Sequence, residues 1–569
     1  MGIHRENKLA AALLCTVTLW ACHVNRPTID HAAQQNLYGA IPNDPRTFNP
    51  ILATDATSAR LLEDAFDSLL QVNYHTLLPE PRIAQSWDIS KDEKSVTFHL
   101  RHGIKWFDGQ PVTARDVLFT LKVIYDPRIP TSMRSTLSVD GKPLTVRAPD
   151  EYTVVVSLPH PFAPLLYSLG IPIIPEHLLK PAYDGGRFSH TWGIDTPPRK
   201  IIGDGPFQIT RYVPGQVVQF ERNPGFWMSD EQSGRLPRLQ GRTRLVIPDR
   251  NAAYLRFLVG QVDVYAPLPK EVVDLKEQAT KLKITLSEIG PDTGQLFFCF
   301  NRNPRFFVKN GVASPKLAWF TDLNFLRAMA HALDKQGIID LVFHGLATPA
   351  ISDLPPANAI YHNPNLKDYD YDLAESARLL EAGGYHLIAP GVRVDSKGNR
   401  LEFTMTSPTG SSESNQMCVI YQQDLESLGI KVNYRPLDFN TLVEKLDTTF
   451  DWDCMLMGFT SSIDPNDGAN FYLSSGNLHI WDPNQPKPAT PWEAEIDEMM
   501  LKGASVMEPA KRAPYYWRVQ EILHDQLAVI QTVRVTQYAA WKSSVENYYP
   551  TVWGELYRPE WIQFSSPTR

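Results

Sequence analysis

Between Leu401 and Met457 the chain alternates strand and helix signals in a fixed order. Leu401 to Met405 reads as a strand, and Ser414 to Leu428 reads as a helix ended by Gly429. Ile430-Lys-Val-Asn-Tyr434 reads as a strand, Asn440 to Leu446 as a short helix, and Cys454 to Met457 as an apolar strand. A β-α-β-α-β order predicts neighbouring parallel strands joined by crossovers. Open parallel sheets bind ligands outside the carboxyl ends of their strands. The loops at those ends are Ser407 to Asn415, Arg435 to Asn440, and Gly458 to Asp467. The last of these, GFTSSIDPND, leaves an apolar strand and presents hydroxyls and acids together. Thr460, Ser461, Ser462 and Asp464 are therefore candidate ligand contacts, although Asp464-Pro465 also suits a plain turn.

The chain has 569 residues, mass enough for two to four domains at roughly 150 residues each. A net charge of −8 and a pI near 6.0 argue against a nucleic-acid partner, which calls for a basic face. The N-terminus differs from the rest. Arg5 and Lys8 precede an apolar run from Leu9 to Ala21, too short to span a bilayer. This is the pattern of a secretory signal over residues 1–22, followed by a polar tether over 23–36. Leu19-Trp20-Ala21-Cys22 resembles a bacterial lipobox, in which the cysteine becomes the lipid-bearing first residue. Beyond it, Cys299, Cys418 and Cys454 sit in apolar surroundings and read as buried free thiols.

Upstream of the alternating region, Thr57 to Leu70 carries a helical apolar period, and Ser95 to Arg101 alternates as a half-buried strand. Thr113-Ala-Arg-Asp116 reads as a capping box for a helix ended by Pro127. Asp372 begins a helix that stops at Gly383-Gly384. Signatures of catalysis are missing: there is no GxSxG, no GxxxxGK[ST] and no HExxH. Gly203-Asp-Gly205-Pro206 suits a tight turn better than a phosphate cradle. The histidines and cysteines show no metal-ligand spacing, and no cofactor is expected. Asp44, Asp55, Glu63 and Asp64 read most simply as solvated charge.

Several stretches resemble the family 5 extracellular solute-binding proteins, the dipeptide- and oligopeptide-binding components of ABC importers. Asn43-Asp-Pro-Arg-Thr-Phe-Asn-Pro50, followed by Asp55 and Ser58, resembles the family's opening. Pro81-Arg-Ile-Ala-Gln-Ser-Trp87, Phe98 to Gly109 with Pro111 to Val117, Gly205 to Trp227, and Asp372 to Gly384 resemble further blocks. The likeness runs from about residue 37 to the C-terminus. It implies an α/β fold of two lobes, periplasmic-binding-protein-like and of type II, with a discontinuous first lobe. Residues 37–291 and 537–569 would form that lobe, 72–200 an inserted β-rich subdomain, and 292–536 the second lobe. The crossings would lie near Asp292 to Gly294 and Thr532 to Arg534. The resemblance implies a peptide or related solute as ligand, a permease with its ATPase as partner, and capture by hinge closure. It adds Asp55 and Ser58 to the candidate ligand contacts and makes the Phe98 to Val117 block scaffold. In peptide-binding relatives an acid a few residues before the Asp-Pro step holds the ligand's amino group; here Ser461 and Ser462 stand in that place. Asp464 would then take the role, or the hydroxyls would hold a neutral ligand such as a blocked peptide or an oligosaccharide. The competing reading is an envelope hydrolase or amidase acting on peptide-like solutes.

Overall fold

The computed structural model describes residues 30–230, 234–555 and 557–565. The signal segment, its Cys22 and the first part of the tether lie outside the described residues. The end of the tether belongs to the body. Asp30 caps the short helix His31–Gln34, and the buried His31 imidazole lies 3.0 Å from the Asp263 carboxylate. No helix among the described residues is long and apolar enough to cross a membrane.

The predicted alternating region forms one five-stranded sheet. Its order is Lys431–Tyr434, Glu402–Thr406, Cys454–Phe459, Gln295–Phe300, Ile530–Gln531. Glu402–Thr406 runs parallel to both of its neighbours, whereas Gln295–Phe300 is antiparallel to Cys454–Phe459. Helices cover both faces, so the strands are apolar on both sides. Phe298, Phe300, Cys454 and Leu456 pack into one core; Phe297, Cys299, Met455 and Met457 pack into the core on the other face. Full burial of a side chain of this kind contributes about 1.5–3 kcal/mol. The three cysteines are free and buried.

The five-stranded sheet belongs to the second lobe, and the first lobe carries its own sheets. Asn36–Ile41, Gly241–Val246, Val217–Arg222 and Phe207–Val213 form one, in that order. Ala84–Ile89, Ser95–Leu100, Thr153–Ser157 and Thr145–Asp150 form an antiparallel sheet covered by the helix Ala114–Tyr125. Thr113 and Asp116 cap that helix reciprocally, as the sequence indicated.

Two adjacent strands pass between the lobes. Ile284–Pro291 pairs with Val533–Lys542 in the first lobe, then continues through 292–294 into Gln295–Phe300 of the second. The return path runs from Ile530–Gln531 into Val533–Lys542. The Asp292 N–H donates to the Val535 carbonyl at 2.8 Å, and the Thr532 N–H to the Leu296 carbonyl at 3.0 Å. The buried Arg534 guanidinium donates to the carbonyls of Ser352 and Asp353 at 2.8 and 2.7 Å and to that of Thr293 at 3.1 Å.

One expected helix is shorter than its apolar period. It spans Ala56–Leu62, and the chain is a strand again by Leu70. The reason is tertiary. The carbonyls of Asp64 and Ala65, which would have extended the helix, accept the N–H groups of Phe207 and Gly205 at 2.9 and 3.0 Å. That approach also explains Gly203 and Gly205. A Cβ at either would collide with the Ala65 backbone, so these glycines serve close packing rather than a turn.

Candidate functional site

The loop after Cys454–Phe459 begins with three hydroxyls. Thr460 and Ser462 are exposed, and Ser461 is half-buried. Asp464 then caps a 3-10 turn, Pro465–Gly468, by accepting the Asn466 N–H at 2.9 Å. Its carboxylate also faces Arg512, from the helix Pro509–Asp525, in a two-pronged pair at 2.6 and 2.9 Å. Both side chains are fully buried. The same guanidinium donates to the Gly503 carbonyl and to the hydroxyls of Tyr361 and Tyr516, at 2.8, 2.9 and 2.8 Å. Burial works against the Arg512 charge, yet Asp464 outweighs it and holds the guanidinium above its usual pKa. A carboxylate so paired and shut off from solvent is committed to the loop and its arginine. The expectation that Asp464 holds a ligand's amino group is corrected accordingly: Asp464 builds the loop.

Three residues on, Asp467 faces the other way. It is open to the space between the lobes, with the Ser462 hydroxyl beside it. Protein surrounds it nonetheless, and burial followed by the nearby Asp464 charge pushes its carboxyl up to about 7. That space is a cavity of about 530 Å³. Asp467 and Ser462 wall it from the second lobe; Glu63, Arg82 and Tyr167 wall it from the first. A side cavity of about 250 Å³ continues behind the loop, lined by Thr460, Ser461, Phe459 and Tyr472 and sharing Ser462 and Asp467 with the main one.

The first-lobe wall repeats the pattern. Asp64 is buried and paired with the fully buried Arg242, whereas the adjoining Glu63 opens to the cavity. Burial, then the Asp64 charge, push the Glu63 carboxyl up to about 7. These two acids are not simple solvated charge, and neither is Asp44, which accepts from the Gly215 N–H at 2.9 Å and the Tyr212 hydroxyl at 3.1 Å. Arg82 donates to Asp67 at 2.8 Å and to Glu560 at 3.0 Å. The lobes touch around the cavity. The Ala163 N–H donates to the Ala504 carbonyl at 2.9 Å, and Tyr167, whose hydroxyl donates to the Leu77 carbonyl at 3.2 Å, lies beside Tyr361 of the other lobe.

Of the residues singled out in the sequence, Thr460, Ser461, Ser462 and Asp464 line these cavities, Asp464 with its carboxylate turned to Arg512. Asp55 and Ser58 do not. Asp55 caps the helix Ala56–Leu62 by accepting the Ser58 N–H at 2.9 Å, and the buried Ser58 hydroxyl accepts the Arg46 N–H at 2.9 Å. Their role is to shape the helix whose end presents Glu63. Sequence reasoning missed Glu63, Asp467, Arg512 and Tyr167. A larger groove of about 780 Å³, between Phe306 and Asp453, belongs to the second lobe alone, so lobe closure cannot trap a ligand there. Among the described residues no group of three or more His, Cys, Asp or Glu is placed to hold a metal ion.

Comparison with known proteins agrees with this architecture. The chain is 25% identical over 530 residues to a probable ABC transporter-binding protein of Deinococcus radiodurans, covering 89% of this chain and 88% of that one. It is 26% identical over 487 residues to di/tripeptide-binding protein 2 of Pseudomonas aeruginosa, covering 82% and 83%. The fold superposes on NikA from Brucella suis, solved in complex with Fe(III)-EDTA, with a TM-score of 0.76 at 22% identity, over 93% of this chain and 100% of that one. Residues 79–479 match the model of the bacterial extracellular solute-binding proteins, family 5. With two α/β lobes, a discontinuous first lobe, an inserted β-rich subdomain and a cavity where the lobes meet, the chain belongs to the family 5 bacterial extracellular solute-binding proteins.

Proposed function

We propose that this chain is the extracytoplasmic receptor of an ABC importer, which takes a peptide or a related solute into the cleft between its lobes and delivers it to a membrane permease. The observation that carries this reading is the cavity of about 530 Å³ walled by both lobes. A ligand there touches both lobes at once, so it favours the closed arrangement over any open one. The two adjacent crossing strands supply the hinge. They support lobe boundaries at 37–291 with 537–569, and at 292–536, with residues 72–200 inserted in the first lobe. Cys22 is proposed as the lipid anchor. Its position, nine residues before the capped helix that starts at His31, leaves a short tether between membrane and body.

Mass spectrometry of solute that co-purifies with the protein tests the reading. An intact peptide or peptide-like solute, together with a smaller radius of gyration when that solute is added back, is the expected result. A solute recovered only as cleavage products, or an unchanged scattering profile at saturation, would overturn it. For the anchor, Cys22→Ser is expected to abolish partitioning into detergent; unchanged partitioning would refute it.

A further inference from the structure

The charges of the cavity wall are unequally provided for. Asp64 has Arg242, Asp464 has Arg512, and Asp67 and Glu560 share Arg82. Among the described residues Glu63 and Asp467 take part in no ion pair, and each stands beside a second acid, Asp64 and Asp464 respectively. One cation of the wall is also unpaired, Arg60, a turn before Glu63 on the same helix. It offsets Glu63 only in part, because burial and Asp64 still keep that carboxyl raised. Two acids facing one cleft, one from each lobe and each beside another acid, favour something positive between them. The remaining wall suits that visitor. Tyr74, Tyr167, Trp553 and Tyr557 line the same cavity, and aromatic faces attract cations.

We propose that the solute of this cleft carries two positively charged nitrogen groups, one held by Glu63 of the first lobe and the other by Asp467 of the second. The proposal rests on the receptor reading above and deepens it: a free amino terminus together with a basic side chain is the chemistry that fits. Such a ligand ties the lobes together through two charge-assisted hydrogen bonds, which are strong where water is excluded. It also carries a proton signature. Both carboxyls hold a proton part of the time near neutral pH and must release it as the cationic groups arrive.

The test is calorimetric titration of the full chain with di- to tetrapeptides that each contain one lysine, and with the same peptides carrying norleucine instead. The lysine forms are expected to bind at least about tenfold more tightly, with a heat that varies with the ionisation enthalpy of the buffer because protons are released. Glu63→Gln and Asp467→Asn should each remove most of the lysine preference and part of the proton release, while thermal melts confirm that both variants fold. Equal or tighter binding of the norleucine forms would overturn the proposal and leave the receptor reading standing. So would a co-purified solute with fewer than two cationic groups. Binding of nickel or calcium ions that both substitutions abolish would assign the two acids to a metal ion and overturn it too. If no peptide of either set binds, the proposal fails, and the identity of the co-purified solute decides the receptor reading separately.

Discussion

The two walls of the cleft are built on one plan and finished differently. Each places a buried acid against a buried arginine and leaves a second acid open: Asp464 with Arg512 and then Asp467, Asp64 with Arg242 and then Glu63. In the second lobe the lock is complete. Arg512 makes five hydrogen bonds, two to Asp464 and one each to Tyr361, Tyr516 and Gly503. In the first lobe Arg242 leaves its Nε and Nη2 without hydrogen-bond partners. Burial, and Arg244 next to it, bring the Arg242 guanidinium down to about 10, and burial pushes the Asp64 carboxyl up despite both arginines. A buried ion pair repays its desolvation only when the remaining donors are also satisfied. The second-lobe pair therefore acts as a rigid base for its loop, whereas the first-lobe pair leaves part of its desolvation unrepaid.

The largest effect should fall on the complete lock. Arg512→Met leaves Asp464 buried without its cation and is expected to cost about 3–5 kcal/mol of stability. Arg242→Met should cost clearly less, since that site already tolerates unpaired donors. Urea unfolding of both variants checks this, and equal losses would erase the distinction between the walls. The next effect separates the two acids of one loop. Asp467→Asn should weaken a cationic ligand by about 1.5–3 kcal/mol, the range for a hydrogen bond to a charged group. Asp464→Asn should act mainly on stability and leave the residual affinity of the folded fraction close to that of the parent. The affinity for such a ligand should also rise between pH 5 and 8, because the Asp467 and Glu63 carboxyls, at about 7, lose their protons over that range. Titrations across pH that show no trend would remove both acids from the binding surface.

A smaller effect tests how the walls meet. Tyr167→Phe deletes a cavity-wall hydroxyl that lies beside Tyr361 of the other lobe, and should weaken ligand binding by about 0.5–1.5 kcal/mol through the closed state. Compaction by ligand should persist. The smallest effect concerns Glu63 without ligand. Its folded pKa lies above that of an unfolded glutamate, so the folded state binds the extra proton and stability falls as pH rises from about 4.3 towards 7. Glu63→Gln removes that loss. It should match the parent below the window and exceed it above, by no more than about 1 kcal/mol because the group is open to solvent. A variant less stable than the parent at pH 8 would contradict the crowding argument.

Much of the fold was legible in local signals. The alternation from Leu401 to Met457 foretold neighbouring parallel strands, and helices on both faces of that sheet account for how apolar those strands are. The caps at Thr113 and Asp372 were readable because a cap is made by residues three apart in sequence. The helix end at Leu62 was not, since partners near residue 205 take its carbonyls. The site was legible only as a place. The loop after Cys454–Phe459 lies at the cleft, as the strand order indicated, but its acids look alike on paper.

The sequence by itself determined the parallel strands of the second lobe and the loop that leaves them at the cleft, because periodicity and capping act between residues near one another in the chain; the two-lobed architecture came from the family resemblance. The tertiary structure alone decided which carboxylate of each wall is free. Asp464 and Asp467 differ by which of them meets Arg512, 48 residues away, and Asp64 and Glu63 by which meets Arg242, 178 residues away. The charge of an acid in a cleft depends on its distance to cations and on how much water it keeps, and both are set by packing between segments that the sequence order keeps far apart.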